Sequence, residues 1–346
     1  RNRGDMIPLA NTLANFPLCL ATVAIDLPLH GVASTDAVAP AIFAGYNIGG
    51  VRERTFGADY MLSSGAPGQD SVPDASGAHF INLTSPLTSR DNLRQAAADM
   101  LALSRSLTAM DYNGGGQDFD AARVYFVGHS LGAITGSNFV SYDPRVKASV
   151  LVAPGGGLAK MVPSSPAFGP TINAGLAAAG RAVGSAGYED FLFLLQTVID
   201  QGDPLGNWEA FRAKSAPSIM LQMGGDLVVP NDSASLPYMV RDPQSGLPIS
   251  SGVAANAPYA GTTPLARAFG LNNISASTVN TNGVSGLVRY TVGCHSSLLS
   301  TATCPPVVSS SSDAQAITVE INTLIATYLA SNGTSVVFTD PNRYVR

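Results

Sequence analysis

The chain has 346 residues, of which 45% are hydrophobic and only 12% charged, with a formal net charge of −5. That length and apolar content suit one large domain with an insertion, or two modest ones, and exclude a disordered or fibrous protein. The net acidity and absence of basic runs speak against a nucleic-acid partner, and no run of about 18 apolar residues could span a membrane.

In chain order, the opening Arg1-Asn2-Arg3-Gly4-Asp5 lacks the apolar core of a secretory leader. Leu9 to Leu13 carries a short helical pattern, and Cys19 to Ile25 reads as a buried strand ending on Asp26, with Cys19 an inert, buried thiol. The stretch from Asn47 to Ser64 fits neither period. Ser89-Arg90-Asp91-Asn92 offers N-cap chemistry to a helix whose apolar face is Leu93, Ala96, Ala97, Met100, Leu101 and Leu103, ending near Leu107. In the loop that follows, Gly114-Gly115-Gly116 has neither the lysine of a phosphate loop nor the spacing of a dinucleotide fingerprint. Asp111, Asp118 and Asp120 do not match a calcium loop. Val124 to Val127 reads as a strand, Ala133 to Val140 as a helix and Ala148 to Ala153 as the next strand. Ser218 to Met223 and Gly286 to Gly293 are further strands, and Asp313 to Leu329 a closing helix. Strands alternating with helices predict a mostly parallel sheet flanked by helices.

Two stretches break the alternation. From Pro154 to about Ala216 the chain is rich in Pro, Gly and Ala, with an apolar helix at Tyr188 to Ile199. It reads either as an acyl-binding lid over the sheet or as an insertion packing its own small core. The second, from about 235 to 284, reads as a long surface excursion. The expected organisation is therefore a core over 1–154, a cap insertion over 155–215, and the rest of the core over 216–346.

The chemistry begins at Gly128-His129-Ser130-Leu131-Gly132, placed between a strand and a helix. A serine at the apex of such a turn is held out of the sheet in strained geometry, with glycines on either side leaving room for strand and helix. Ser130 is the predicted nucleophile. It requires a base, and the chain has four histidines. His30 and His79 lie in early loop sequence, and His129 is inside the turn, where its ring should point away from Ser130. His295 follows the Gly286 to Gly293 strand, at the sheet edge where such folds place ligands, and is the predicted base. The orienting carboxylate should lie between them. Asp226, in the loop after the Ser218 to Met223 strand, is the first choice, with Asp232 six residues on as the alternative or as a helix N-cap. Cys294 and Cys304 bracket the His295 segment, and a disulfide between them would brace it.

These segments, together with Arg1-Asn2-Arg3-Gly4-Asp5-Met6, Ile25-Asp26-Leu27-Pro28-Leu29-His30-Gly31 and His295-Ser296-Ser297-Leu298-Leu299, give the chain its resemblance to the α/β-hydrolases. It resembles in particular the extracellular lipases and surface lysophospholipases of the bacterial virulence-factor lipase group. The resemblance implies hydrolysis of carboxylic esters with an acyl chain, lysophospholipids and polyesters included, at an extracellular or cell-surface location. It implies no cofactor, and no His-Glu-Xaa-Xaa-His or clustered Cys/His set calls for a metal. His129, Phe168, Phe191 and Leu194 are the expected substrate-lining residues. The oxyanion needs two N–H donors: Leu131 supplies one, while the other is expected from Arg1, Asn2 or an upstream segment that would also complete the sheet. An acyltransferase using the same triad and a non-catalytic binding module are the alternative readings.

Overall fold

The computed structural model describes residues 3–15, 18–31, 54–232, 237–241, 248–254, 260–305, 307–341 and 345. Among these residues, four strands form the central sheet: β1 (Val124–His129), β2 (Val146–Val152), β3 (Ser218–Gly225) and β7 (Gly286–Cys294), paired in the order β1-β2-β3-β7 and all parallel. Parallel neighbours need crossovers, and the crossovers here carry the helices. Between β3 and β7 lie an antiparallel hairpin, β4 (Pro237–Arg241) with β5 (Pro248–Ala254), and the short β6 (Thr278–Val279), which pairs with β8 (Ser335–Val336).

Side chains two apart on a strand share a face. Val150, Val152, Ile219, Leu221, Met223, Val288 and Tyr290 therefore point one way, onto α1 (Ile7–Ala14) and the closing helix α9 (Ser311–Ala330), through Leu9, Leu13, Ile317, Ile321 and Leu324. Leu151, Met220 and Leu287 point the other way, onto α2 (Pro86–Ser106), α3 (Leu131–Tyr142), α7 (Trp208–Ala213) and α8 (Thr262–Ala268). Burial on both faces is why these strands read as nearly unbroken apolar runs. The result is an α/β architecture, a four-stranded parallel sheet flanked by helices, compatible with the α/β-hydrolase fold.

Four expectations are corrected. Residues 19–25 form no strand, and Cys19 is exposed, with φ 50°. A strand exists only through a partner for its N–H and C=O groups, and among the described residues none of these has a ladder partner; Leu18 and Leu20 still lean on the core. Helix α2 starts one turn earlier than the Ser89 region, with Ser85 as N-cap and Pro86 in the first turn, where the missing N–H costs nothing. Ser89 is buried instead, its Oγ accepting from the Asn82 amide at 2.7 Å. The stretch from 235 to 284 is not simply a surface excursion, since it holds the hairpin and α8, whose Leu265 and Ala266 are core residues. Seven residues of helix are too few for a visible period.

The excursion after β2 folds as α4 (Leu158–Met161), α5 (Gly169–Ala178) and α6 (Ala186–Ile199). Helix α6 is amphipathic and not buried all round: Tyr188, Leu192, Leu195 and Ile199 face inward, while Phe193 and Leu194 are 71% and 61% exposed. Its inner face joins a cluster with Leu158, Met161, Ile134 and Val229, against which Leu131 and Phe191 also pack.

Candidate active site

Ser130 stands between the end of β1 and the first turn of α3, with φ 55° and ψ −124°. A non-glycine residue is held there only when its surroundings over-determine it. On one side the ladder does so: Ser130 N–H donates to the Val152 carbonyl at 2.9 Å. On the other, α3 passes so close that a Cβ on Gly128 would sit 2.6 Å from the Gly132 carbonyl oxygen. The two flanking glycines differ, because a Cβ on Gly132 would meet nothing within 4 Å. The second steric requirement falls on Gly136, where a Cβ would lie 2.2 Å from the Phe126 ring.

The loop after β7 brings His295 to this serine, with Nε2 2.8 Å from Ser130 Oγ. On the far side of the ring, Nδ1 lies 2.8 Å from Asp226 Oδ2 and 3.0 Å from Oδ1. Asp226 follows β3 and is itself held, its Oδ1 accepting the N–H groups of Val228 at 2.9 Å and Val229 at 2.8 Å. The imidazole makes no hydrogen bond to Asp232. A carboxylate only accepts, so in the neutral imidazole the proton is on Nδ1 and Nε2 faces the hydroxyl as a base.

The Leu131 amide, at the first turn of α3, has no acceptor among the described residues, as expected of a helix start. Arg1 and Asn2 lie outside the described residues. The next amide along, that of Arg3, is committed to Asp26 Oδ1 at 2.7 Å.

The proposed lining residues separate. His129 is 6% exposed and its Nε2 lies 2.6 Å from the His295 carbonyl oxygen, so its ring is committed to the histidine loop instead of facing a ligand. Phe191 joins the cluster that contains Leu131, under the Arg181 guanidinium. Leu194 points outward, and Phe168, at the start of α5, is half exposed.

The expected disulfide joins Cys294 and Cys304 across the His295 loop. The other residues that hold the site are ones that no motif announces. Ser297 Oγ accepts from the Cys294 amide at 2.8 Å, and Asn322 and Thr318 of α9 donate to the Leu298 and Ser300 carbonyls, each at 3.1 Å. The Asp226 loop is tied to the helical excursion by Ser165 Oγ donating to the Val228 carbonyl at 2.6 Å and Ala167 N–H donating to that of Leu227 at 2.9 Å. Buried Asp203 accepts from Gly157, Leu158 and Leu205 amides and from Gln196 Nε2, joining the excursion's first residues to its last. Beyond the two cysteines, only Asp203 had a sequence signal, its place before Pro204 in the pattern of a helix cap.

Among the described residues, no group of three or more His, Cys, Asp or Glu side chains is placed to hold a metal, and no helix is long and apolar enough to cross a membrane. No family model matches the chain, and no curated protein matches it. Among solved structures it is similar to DcsB in complex with its substrate analogue, at 14% identity and a TM-score of 0.36, with 87% of each chain covered. That is a distant likeness, and it carries nothing about activity.

Proposed function

We propose that the protein is a serine-dependent carboxylic ester hydrolase working through an acyl-enzyme. The observation that carries this reading is the unbroken hydrogen-bonded line from Asp226 through His295 to a Ser130 held in strained backbone geometry. In the first step Ser130 Oγ attacks the ester carbonyl while its proton passes to His295 Nε2, and Asp226 stabilises the imidazolium. The oxyanion develops beside the Leu131 amide. The imidazolium then protonates the leaving alcohol, and a water deprotonated by His295 releases the acid.

The apolar cluster of Leu131, Ile134, Leu158, Met161 and Val229 supports an acyl substrate, since it meets the nucleophile's own helix beside Ser130. Helices α4–α6 would then be the cap, which contributes Leu158 and Met161 to that wall. The disulfide supports an oxidising, extracellular or surface location.

The test is hydrolysis of a p-nitrophenyl ester series from acetate to palmitate by wild type and Ser130→Ala. Turnover that disappears in the variant is the expected outcome. A folded wild-type protein inert toward the whole series, and unlabelled by a fluorophosphonate, would end the reading.

A further inference from the structure

His129 presents an arrangement that substrate binding does not explain. It sits at the end of β1, immediately before Ser130, in register with Val152 of β2. Its ring is buried and tilted against that of His295, with centroids 4.9 Å apart at 44°. Its Nε2 reaches the main-chain oxygen of His295 at 2.6 Å, across 166 positions of sequence. A carbonyl oxygen only accepts, so His129 must carry a proton on Nε2.

The consequence is mechanical. Asp226 fixes the rotation of the His295 ring through Nδ1, but it does not fix where the backbone beneath that ring lies. The disulfide and Ser297 hold the Cys294 side of the loop. The carbonyl of His295 itself is held by His129, whose backbone continues directly into the nucleophile. One side chain therefore ties the strand bearing the serine to the loop bearing the base, across the 2.8 Å gap where the proton must move. Displacements of about 1 Å at such a contact cost on the order of 10²-fold in rate.

We infer that His129 is a positioning residue, whose Nε2–H clamps the His295 main chain and so sets the distance from Ser130 to its base. The inference rests on the esterase reading. It requires a donor at that point in space and no contact between His129 and the substrate.

Glutamine places an amide N–H where Nε2 stands, while phenylalanine keeps the ring and loses the donor. Wild type, Ser130→Ala, His129→Gln and His129→Phe are compared for fluorophosphonate labelling, kcat and KM on one p-nitrophenyl ester, and melting temperature. For His129→Phe, labelling rate and kcat fall by about 10- to 100-fold with KM within about twofold, and His129→Gln recovers most of the loss. In wild type carrying isotope-labelled histidine, the resonances assigned to His129 show the Nε2–H tautomer near neutral pH. A His129→Phe protein as fast as wild type, a Gln variant as slow as the Phe variant, or an Nδ1–H tautomer overturns the inference. The tautomer measurement decides it even if the Phe variant does not fold. Failure of the esterase reading looks different: wild type is then unlabelled, or Ser130→Ala is labelled equally, and the clamp falls with it whatever the tautomer.

Discussion

Both carboxylate oxygens of Asp226 lie within hydrogen-bond reach of His295 Nδ1, yet only Oδ1 also takes the backbone N–H groups of Val228 and Val229. The residue thus has two separable duties, orienting the imidazole and closing its own loop. Asp226→Asn keeps an oxygen for the loop but can present an N–H to the ring, which turns the imidazole to the tautomer that cannot take the serine proton. The expected result is a fall of about 10³- to 10⁴-fold in kcat with a nearly unchanged melting temperature. Asp226→Ala should lose comparable activity and also about 1–3 kcal/mol of stability, because the two amides are left without an acceptor. If Asp226→Asn kept activity within about tenfold of wild type, another carboxylate, Asp232 first, would have to serve the imidazole.

The Cys294–Cys304 bridge closes a short loop that begins at the residue before His295. Loop-closure entropy for about ten residues corresponds to about 2–3 kcal/mol. Reduction should therefore lower the melting temperature and slow ester hydrolysis together, and a Cys294→Ser/Cys304→Ser double variant should reproduce both while becoming insensitive to reductant. A thiol titration gives the control: Cys19 is exposed and should react in the native protein, with two further thiols appearing on reduction. Full activity once those two thiols have been released would show that the brace is dispensable.

The turn at Ser130 was legible in the sequence because its determinants are local. An apolar strand, Gly128 and a helix-compatible run adjoin Ser130, and the close approach that requires Gly128 is made by the next turn of the same chain. The proposed base emerged because only four histidines compete and one follows a strand. What escaped depends on meetings between distant segments. The bond from His129 to the His295 carbonyl, the Ser165 tie to the Asp226 loop and the hold of Asp203 on the Leu158 amide join residues from 45 to 166 positions apart. The segment 19–25 has the composition of a strand, but strand formation is decided by a neighbour that composition does not contain. Helix α8 was missed for the opposite reason, being well buried but too short to show a period.

Asp203 closes the helical excursion with four acceptor contacts, at 3.1 Å from Gly157, 2.7 Å from Leu158, 2.9 Å from Leu205 and 3.0 Å from Gln196 Nε2. Burial pushes its carboxyl pKa up, and the four donors oppose that shift. Replacing it by alanine orphans three main-chain N–H groups at once. The expected loss is about 3 kcal/mol or more in urea denaturation, with Asp203→Asn in between, because the amide keeps one acceptor oxygen. Limited proteolysis should cut Asp203→Ala first within residues 155–205. An alanine variant with the wild-type urea midpoint would mean that the clasp contributes nothing net.

Lys214 offers a stability test that should leave the chemistry untouched. Its Nζ donates to the Ala216 carbonyl at 2.6 Å and to Ser218 Oγ, which meets Ser149 Oγ, and it lies 4.6 Å from the centroid of the Phe211 ring. Ser218 opens β3, so this network is at the opposite end of the sheet from Ser130. Burial pushes the ammonium down from 10.5 to about 8. Between those values the unfolded chain binds more protons than the folded one, so this group makes stability rise with pH across that window, and its cost is fully present below about 8. Lys214→Met should therefore be more stable at neutral pH by about 1–2 kcal/mol, after discounting for partial exposure and the lost hydrogen bonds, and should lose the alkaline rise. Urea midpoints measured on both sides of the window check this, with ester hydrolysis at neutral pH unchanged. Identical pH slopes in wild type and variant would mean that the ammonium is solvated and that the Ser149–Ser218 pair, not Lys214, holds this end of the sheet.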